Sequence, residues 1–288
     1  MPETLDPYPL IEAPALLQAM GDPRLRLVDC RFNLQDKEAG PREYAEGHIP
    51  GAVYLNLETD LSGPLGGRGG RHPLPDPERL AARLGSLGIG DDSWIVAYDA
   101  LHSEYAARLW WLVRFFGHDR VQILDGGLAS WVEMGGPLTR EVPRHPPATF
   151  TVRLRRELLV DDHDEVQRAA LNRALVDSRA AERYRGDSEP LDAKAGHIPG
   201  ALNREWLRIQ DSRGHFRSRE ALAQRFGDLH GRDPVVYCGS GVTACANVVA
   251  MTIAGLRPRL YAGSWSDWIS DPRRPVAVGE EHPDPEAS

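Results

Sequence analysis

The stretch Pro234-Val-Val-Tyr-Cys-Gly-Ser-Gly-Val-Thr-Ala244 decides the fold of this chain. Its first residues, Val235–Tyr237, are β-branched or aromatic and predict a short buried strand. The apolar run that follows predicts a helix from Thr243 to Ala254, with Gly255 as its left-handed cap. Cys238 lies between strand and helix on a glycine-bearing loop, where backbone N–H groups and a positive helix end would face its sulfur. This environment favours a reactive thiolate.

Working outward from this stretch, four blocks of sequence occur twice in the chain, in the same order and at nearly constant spacing. The pairs are Leu27–Arg31 with Leu175–Arg179, Gly47–Ala52 with Gly196–Ala201, Ile95–Asp99 with Pro234–Cys238, and Leu124–Gly127 with Leu260–Gly263. A repeat this long is not a solenoid unit, so it indicates a duplicated domain. In the first copy, Asp99 stands where Cys238 stands in the second.

Each copy alternates short apolar strands with helical stretches, which predicts an α/β fold with a mainly parallel sheet flanked by helices. We predict an N-terminal domain at residues 10–138, a proline-bearing linker at 139–160 and a C-terminal domain at 161–280. Phe150–Leu154 is a further strand candidate, and the residues after Pro272 are expected to be irregular. The remaining strand candidates are Leu25–Asp29, Ala52–Leu55, Trp94–Tyr98, Val121–Leu124, Ala174–Asp177 and Arg259–Tyr261, and the helix candidates are Pro77–Leu87, Ser103–Phe116 and Ser218–Phe226.

Composition restricts the function classes. The 288 residues carry a net charge of −8, which argues against nucleic-acid binding. No run of 18 apolar residues predicts a membrane span, and the N-terminus lacks the features of a secretory signal, so we expect a cytoplasmic protein. The three cysteines Cys30, Cys238 and Cys245 are too few for a disulfide framework and lack metal-ligand spacing. We therefore expect no bound metal.

Other functions for the cysteine loop meet specific obstacles. A cysteine-dependent phosphatase needs Cys-x5-Arg, and Ala244 stands at the arginine position. A Cys-x-x-Cys redox pair is absent because residue 241 is glycine. The histidine of the repeated Gly-His-Ile-Pro-Gly-Ala turn, His48 or His197, occurs also in the copy without the cysteine, so we predict a structural hydrogen-bonding role for it. Cys30 and Cys245 are expected to pack in the core.

The glycine-rich segment Gly63–His72 lacks the Gly-Lys-Ser/Thr ending of a phosphate loop. We interpret it as a flexible loop of the first domain that carries His72 toward the site. The alternative is a plain surface loop.

Together, the duplicated halves, the paired Gly-His-Ile-Pro-Gly-Ala turns, the Cys238–Ala244 loop and the Gly263–Trp268 segment resemble the two-domain rhodanese sulfurtransferases. The resemblance covers roughly residues 10 to 278. It implies two rhodanese-like domains, of which only the C-terminal one is active, with the site at the cleft between them. It also implies that Cys238 takes a sulfur from a donor as a persulfide and passes it to cyanide or a thiol acceptor such as thioredoxin or a small thiol. No cofactor is implied.

The loop sequence is most similar to that of 3-mercaptopyruvate sulfurtransferases. In those enzymes the loop serine works with a histidine and an acid of the first domain, which correspond here to Ser240, His72 and Glu58. An arginine that holds the donor carboxylate corresponds to Arg183. The family usually has aspartate at the position of Glu58. The expected second arginine is missing after Glu189-Pro190, where Leu191 stands.

A persulfide anion needs stabilisation from the loop itself. The loop backbone expected to bind it comprises Gly239, Gly241, Val242 and Thr243. Thiosulfate-preferring relatives usually place cations just after the cysteine, whereas Gly239 and Ser240 supply none, which favours a monoanionic keto acid as donor. Thiosulfate remains the alternative donor, and a non-catalytic persulfide carrier or binding module the alternative class. A monomer is expected because duplication already lets one domain cover the other.

Overall fold

The computed structural model describes residues 8–66 and 69–286 and divides into two compact units. The first unit contains the residues up to Ser62 together with Pro75–Arg155 and Ser212–His215. The second contains Gly63–Leu74, Arg156–Asp211 and the residues from Phe216 onward. Residues 1–7, which include most of the N-terminal segment considered above, and residues 67 and 68 of the glycine-rich loop lie outside the described residues.

In the first unit, a five-stranded parallel sheet is flanked by helices. The strands are β1 (Leu10–Ile11), β2 (Leu25–Asp29), β3 (Ala52–Tyr54), β4 (Trp94–Tyr98) and β5 (Val121–Leu124), and the helices are α1 (Ala13–Ala19), α2 (Ala39–Glu46), α3 (Pro77–Ser86), α4 (Glu104–Phe115) and α5 (Gly127–Glu133). The strands lie in the order β1-β5-β4-β2-β3. Asp76 begins α3 because its side chain accepts a hydrogen bond from the Arg79 N–H at 2.9 Å.

The second unit repeats this arrangement. Its strands are β6 (Leu159–Val160), β7 (Leu175–Asp177), β8 (Leu202–Asn203), β9 (Val235–Tyr237) and β10 (Arg259–Tyr261), and its helices are α6 (His163–Leu171), α7 (Ala181–Arg185), α8 (Arg219–Arg225), α9 (Ala244–Ile253) and α10 (Ser264–Trp268). The strand order β6-β10-β9-β7-β8 is that of the first sheet, and every described pairing between these strands is parallel. The predicted α/β fold with two mainly parallel sheets is confirmed.

Parallel pairing brings the carboxyl ends of the strands of the second unit to one edge of its sheet. The chain passes from β7 outward to β8 and then returns to β9 on the other side of β7. Ligands bind at such a reversal in open α/β sheets, just beyond the strand ends. Cys238 immediately follows β9, so the topology places it at this position.

The repeated Gly-His-Ile-Pro-Gly-Ala turns have the same structure in both units. His48 lies within 2.7 Å of the Tyr44 carbonyl through Nδ1, and His197 within 2.8 Å of the Tyr184 carbonyl. Each ring also stacks on that tyrosine, with centroids 3.9 Å and 3.8 Å apart. Both histidines are fully buried. The predicted structural role of His48 and His197 is confirmed.

The strand predicted at Phe150–Leu154 is wrong. This segment is irregular and pairs with no sheet. Its backbone instead follows the end of α4, where the N–H groups of Arg153 and Arg155 donate to the Phe116 and Phe115 carbonyls at 2.8 Å each. The last carbonyls of a helix have no partner within the helix, so they attract an extended segment that the sequence pattern cannot distinguish from a strand.

The residues after Pro272 are irregular, as predicted, but they pack closely on the second unit. Asp284 accepts hydrogen bonds from Arg225, with Oδ1 3.1 Å from Nη1, and both side chains are fully buried. Arg225 also lies 3.0 Å from the partly exposed Glu286. Removing Asp284 therefore leaves the buried arginine charge only partly compensated.

We expect Asp284→Ala to lower the free energy of unfolding by about 3–5 kcal/mol, measured by urea denaturation. Asp271→Ala is the control, because Asp271 pairs with the largely exposed Arg273 and little change is expected there. Similar losses in the two variants would contradict the prediction.

Candidate active site

The loop after β9 holds the Cys238 sulfur close to the backbone. Cys238 is 1% exposed, and the Gly241 N–H donates a hydrogen bond to its Sγ at 3.2 Å. Gly241 has φ +75°, and a Cβ there would lie 2.1 Å from the Ala262 carbonyl oxygen, so only glycine fits. The helix α9 begins at Ala244, so its positive end faces the same loop. The predicted strand, loop and helix around Cys238 are all present.

The other two cysteines have surroundings that make them unreactive. Burial, with a contribution from the Asp29 charge, raises the pKa of the Cys30 thiol well above its ordinary value. Cys245 is fully buried within α9, and its S–H donates to the Gly241 carbonyl at 3.4 Å. The expectation that Cys30 and Cys245 pack in the core is confirmed.

Ser240 and His72 are brought together although they lie far apart in the sequence. The His72 Nδ1 and Ser240 Oγ atoms are 2.7 Å apart, and both side chains are buried. This distance is that of a hydrogen bond. Ser240 is two residues from Cys238, so an ionisable ring and a hydroxyl capable of moving a proton stand beside the thiol.

The glycine-rich loop belongs to the second unit, where it is held by the turn that begins α10. The Gly69 N–H donates to Asp267 Oδ1 at 2.9 Å, and the Arg71 N–H donates to Ser266 Oγ at 3.0 Å. The same turn supports the cysteine loop, because the Trp265 and Ser266 N–H groups donate to the Cys238 and Gly239 carbonyls. The same turn therefore holds residues 69–72 and the cysteine loop, and the loop brings His72 to Ser240 as predicted. Its flexibility stays a prediction.

Asp267 is the central residue of this anchor. Its Oδ2 accepts hydrogen bonds from the Tyr261 hydroxyl at 2.6 Å and lies 2.8 Å from His163 Nε2. Although burial opposes its charge, the hydrogen bonds from Tyr261 and His163 hold the pKa of Asp267 below its ordinary value. Asp267 therefore stays ionised and available to the Gly69 N–H.

Two guanidinium groups lie over Gly239, the residue directly after Cys238. A Cβ built on Gly239 would be 2.8 Å from Arg71 Nη2 and 3.4 Å from Arg183 Nη2. Both arginines bind Asp192: Arg71 through Nε and Nη2 at 2.8 and 3.0 Å, and Arg183 through Nη2 at 3.1 Å. The sequence correctly indicated no cation at residues 239 and 240, but cations reach the loop from two distant segments.

These arginines are neutralised by buried carboxylates. Arg183 also binds Glu189 at 2.7 Å, and the fully buried Arg179 binds both Asp177 and Glu189. Although burial opposes its charge, Asp192 raises the pKa of the Arg71 guanidinium above its ordinary value. The formal charges of these three arginines and three carboxylates thus sum to zero. Within residues 8–66 and 69–286, no group of three or more His, Cys, Asp or Glu is arranged to hold a metal ion.

The remaining predicted site residues have simpler surroundings. Glu58 belongs to the first unit, where its Oε1 lies 2.7 Å from Lys37 Nζ and its side chain is 33% exposed. Its role in proton transfer stays a prediction. Val242 is buried in the cysteine loop, and Thr243 directly precedes α9. Leu191 is half exposed and contributes no charge at the site.

In the first unit, the position equivalent to Cys238 holds a carboxylate. Asp99 follows β4 and is buried, and its oxygens accept hydrogen bonds from the N–H groups of Ser103 at 2.9 Å, Tyr105 at 3.0 Å and Ala106 at 3.3 Å. Such a ring of N–H groups at a helix start binds an anion. The first copy of the loop is therefore filled by its own side chain.

Comparisons with known proteins agree with this geometry. The family model described as "Rhodanese-like domain" matches residues 12–134 and 160–271. A Pseudomonas aeruginosa protein named as a probable 3-mercaptopyruvate sulfurtransferase is 47% identical over 279 residues, covering 94% of this chain and 98% of that protein. The thiosulfate sulfurtransferase of Cricetulus griseus is 35% identical, covering 90% of each. The crystal structure of the Escherichia coli mercaptopyruvate enzyme SseA matches with a TM-score of 0.78 and 31% identity, covering 89% of this chain and 98% of that one.

Proposed function

The chain belongs to the family of proteins built from rhodanese-like domains and is a sulfurtransferase, and we propose that it takes its sulfur from 3-mercaptopyruvate through a persulfide on Cys238. The observation that carries the choice of donor is the 2.7 Å contact between Ser240 Oγ and His72 Nδ1 beside the thiol. The reaction on this donor needs a proton to be moved, and these two groups can move it.

The first half-reaction is a displacement at sulfur. The Cys238 thiolate attacks the sulfur of 3-mercaptopyruvate, so that an S–S bond forms while the bond between sulfur and the methylene carbon breaks. The electron pair of the broken bond leaves as the enolate of pyruvate. The proton of the donor thiol ends on the methyl carbon of pyruvate, and Cys238 retains a persulfide anion. We infer that Ser240 and His72 carry this proton.

Sulfur transfer from thiosulfate, the alternative donor, needs no proton transfer. When the thiolate takes the outer sulfur of thiosulfate, sulfite leaves with the electron pair, and no proton has to be delivered. A buried serine and histidine in hydrogen-bond contact would then have no chemical task. This difference supports the keto acid over thiosulfate.

Charge supports the same choice. The arginines near Gly239 are already paired with Asp192 and Glu189, so the cluster offers hydrogen-bond donors without a net positive charge. A dianion brought next to a thiolate would meet repulsion that nothing offsets. A monoanionic keto acid avoids one of these charges and keeps a planar carboxylate that guanidinium groups bind well.

Steady-state kinetics with both donors and cyanide as acceptor tests the proposal. We expect kcat/KM for 3-mercaptopyruvate to exceed that for thiosulfate by about tenfold or more. A higher kcat/KM for thiosulfate would reject the donor proposed here. It would favour thiosulfate, the second candidate, which is supported by the relatives named as thiosulfate sulfurtransferases.

The second half-reaction returns the thiolate. Cyanide attacks the outer sulfur of the persulfide and leaves as thiocyanate, or a thiol attacks it and takes the sulfur as its own persulfide. Thioredoxin or a small thiol is the proposed physiological acceptor. No described helix has the length and apolar character needed to cross a bilayer, and we further propose a cytoplasmic monomer.

A further inference from the structure

We propose that the side chains of Ser266 and Asp267 are positioning residues for His72. They hold the glycine-rich loop on the turn that begins α10, so that the His72 ring stays beside Ser240. The inference rests on the proposed function, in which His72 and Ser240 carry a proton for the keto acid and not for thiosulfate. Turnover of the keto acid should therefore depend on two residues that lie outside the cysteine loop.

The first support is the close fit between the glycine-rich loop and the turn. The Gly69 N–H donates to Asp267 Oδ1 at 2.9 Å. The Arg71 N–H donates to Ser266 Oγ at 3.0 Å. Between these two contacts, Gly70 has φ +68°, and a Cβ there would lie 2.3 Å from Ser266 Oγ. Only glycine lets the loop backbone approach the turn this closely.

The second support is the way in which the Asp267 carboxylate is shared between the loop and the rest of the unit. Its Oδ2 accepts a hydrogen bond from the Tyr261 hydroxyl at 2.6 Å and lies 2.8 Å from His163 Nε2. Its Oδ1 accepts the Gly69 N–H. Because Oδ2 fixes the carboxylate to β10 and α6, Oδ1 offers the loop an acceptor at a fixed place.

The third support is the place of His72 in the loop. His72 directly follows the three residues that contact the turn, and on its other side the Pro73 carbonyl accepts a hydrogen bond from the Gly63 N–H at 2.9 Å. The His72 side chain is 5% exposed, and its Nδ1 lies 2.7 Å from Ser240 Oγ. A loop held on both sides of His72 keeps the ring within hydrogen-bond distance of the serine.

The fourth support comes from the same turn in the first unit. In both units, two consecutive N–H groups of the turn donate to the two carbonyls that follow β4 or β9; the donors are Leu128 and Ala129 in the first unit and Trp265 and Ser266 in the second. Ala129 and Ser130 therefore occupy the positions of Ser266 and Asp267. The unit without the cysteine thus forms this turn with alanine and serine, which indicates that the turn itself does not require Ser266 and Asp267.

The alternative is that Asp267 only supports the fold through Tyr261 and His163. The exposure of His72 separates the two roles. It is measured as the rate at which diethyl pyrocarbonate modifies the His72 ring, followed by mass spectrometry of the peptide that carries it. We expect Ser266→Ala to raise this rate by about fivefold or more and Asp267→Ala by about tenfold or more, because each lost hydrogen bond makes local opening of the loop more frequent.

Tyr261→Phe is the matched control. It removes one hydrogen bond to Asp267 Oδ2 but leaves the bond between Oδ1 and the Gly69 N–H. The rate at His72 should then stay within about twofold of that in the unmodified protein. The fully buried rings of His48 and His197 should remain slow to react in every variant, which verifies that both units are folded.

An unchanged rate at His72 in Ser266→Ala and Asp267→Ala would overturn the inference. A rise in Tyr261→Phe as large as that in Asp267→Ala would overturn it as well, because Asp267 would then act only through the fold. The modification rate is measured without turnover, so neither outcome depends on the donor that the enzyme prefers.

Turnover of the same variants tests the link to the proposed function. Where His72 is exposed, kcat with 3-mercaptopyruvate should fall about tenfold, while kcat with thiosulfate stays within about threefold. If His72 is exposed and the two donors respond alike, the positioning role of Ser266 and Asp267 stands, and the proton path of the proposed function is rejected.

Discussion

Replacing Cys238 with serine is expected to abolish sulfur transfer from either donor, with turnover falling to the background of the uncatalysed reaction. In the proposed mechanism the Cys238 thiolate is the nucleophile and the carrier of the sulfur, and a hydroxyl at the same place can serve as neither. The loss should appear in kcat and not in folding, because serine is nearly isosteric with cysteine.

Cys245→Ser is the matched control, since that thiol is fully buried in α9 and donates to the Gly241 carbonyl. It should keep most of the activity. Mass spectrometry after donor treatment should show one added sulfur on the peptide that carries Cys238. Equal activity of the two serine variants, or added sulfur on a peptide without Cys238, would reject the assignment of the nucleophile.

Ser240→Ala is expected to lower kcat for 3-mercaptopyruvate by about 10²-fold or more, while turnover with thiosulfate stays within about threefold. The hydroxyl lies 2.7 Å from His72 Nδ1, and its loss would interrupt the proposed path by which a proton reaches the departing enolate. Sulfite leaves without a proton, so the thiosulfate reaction is insensitive to this path.

The measurement is steady-state turnover with each donor, supplemented by the solvent deuterium isotope effect on the mercaptopyruvate reaction. Ser86→Ala is a suitable control, because that hydroxyl caps the end of α3 in the first unit and donates to the Arg83 carbonyl. If Ser240→Ala slowed both donors equally, Ser240 would be a support of the loop and not part of a proton path.

Much of the fold could be predicted from the sequence because its strands are short runs of apolar residues with clear ends. Trp94–Tyr98 and Val235–Tyr237 are largely buried, mostly β-branched or aromatic, and bounded by polar or glycine-rich turns. The edge strands Leu10–Ile11 and Leu159–Val160 have two residues each, which is too short for any alternation to be visible. Their pairing is decided by the neighbouring strand and not by their own sequence.

In the candidate site, too, one part could be predicted from the sequence and another part could not. The cysteine loop is local, so its strand, glycines and helix could be predicted from adjacent residues. The contact of His72 with Ser240 joins residues 168 positions apart and was expected only because of the family resemblance. Arg71 was missed, since its partner Asp192 is 121 positions away. The only signal was an arginine beside His72 on a glycine-rich loop, and charge alone does not reveal what a side chain faces.

The carboxylate of Asp99 has a consequence for how the duplicated chain works. Backbone N–H groups of the first loop, including those of Ser103, Tyr105 and Ala106, already bind the Asp99 carboxyl group of the same chain. An anion from solution would have to displace the Asp99 carboxyl group. The effective concentration of that group at the loop is high, because both belong to the same chain. Duplication has thus produced one loop that binds its own carboxyl group and one loop that holds a thiol, at which we propose that sulfur is transferred.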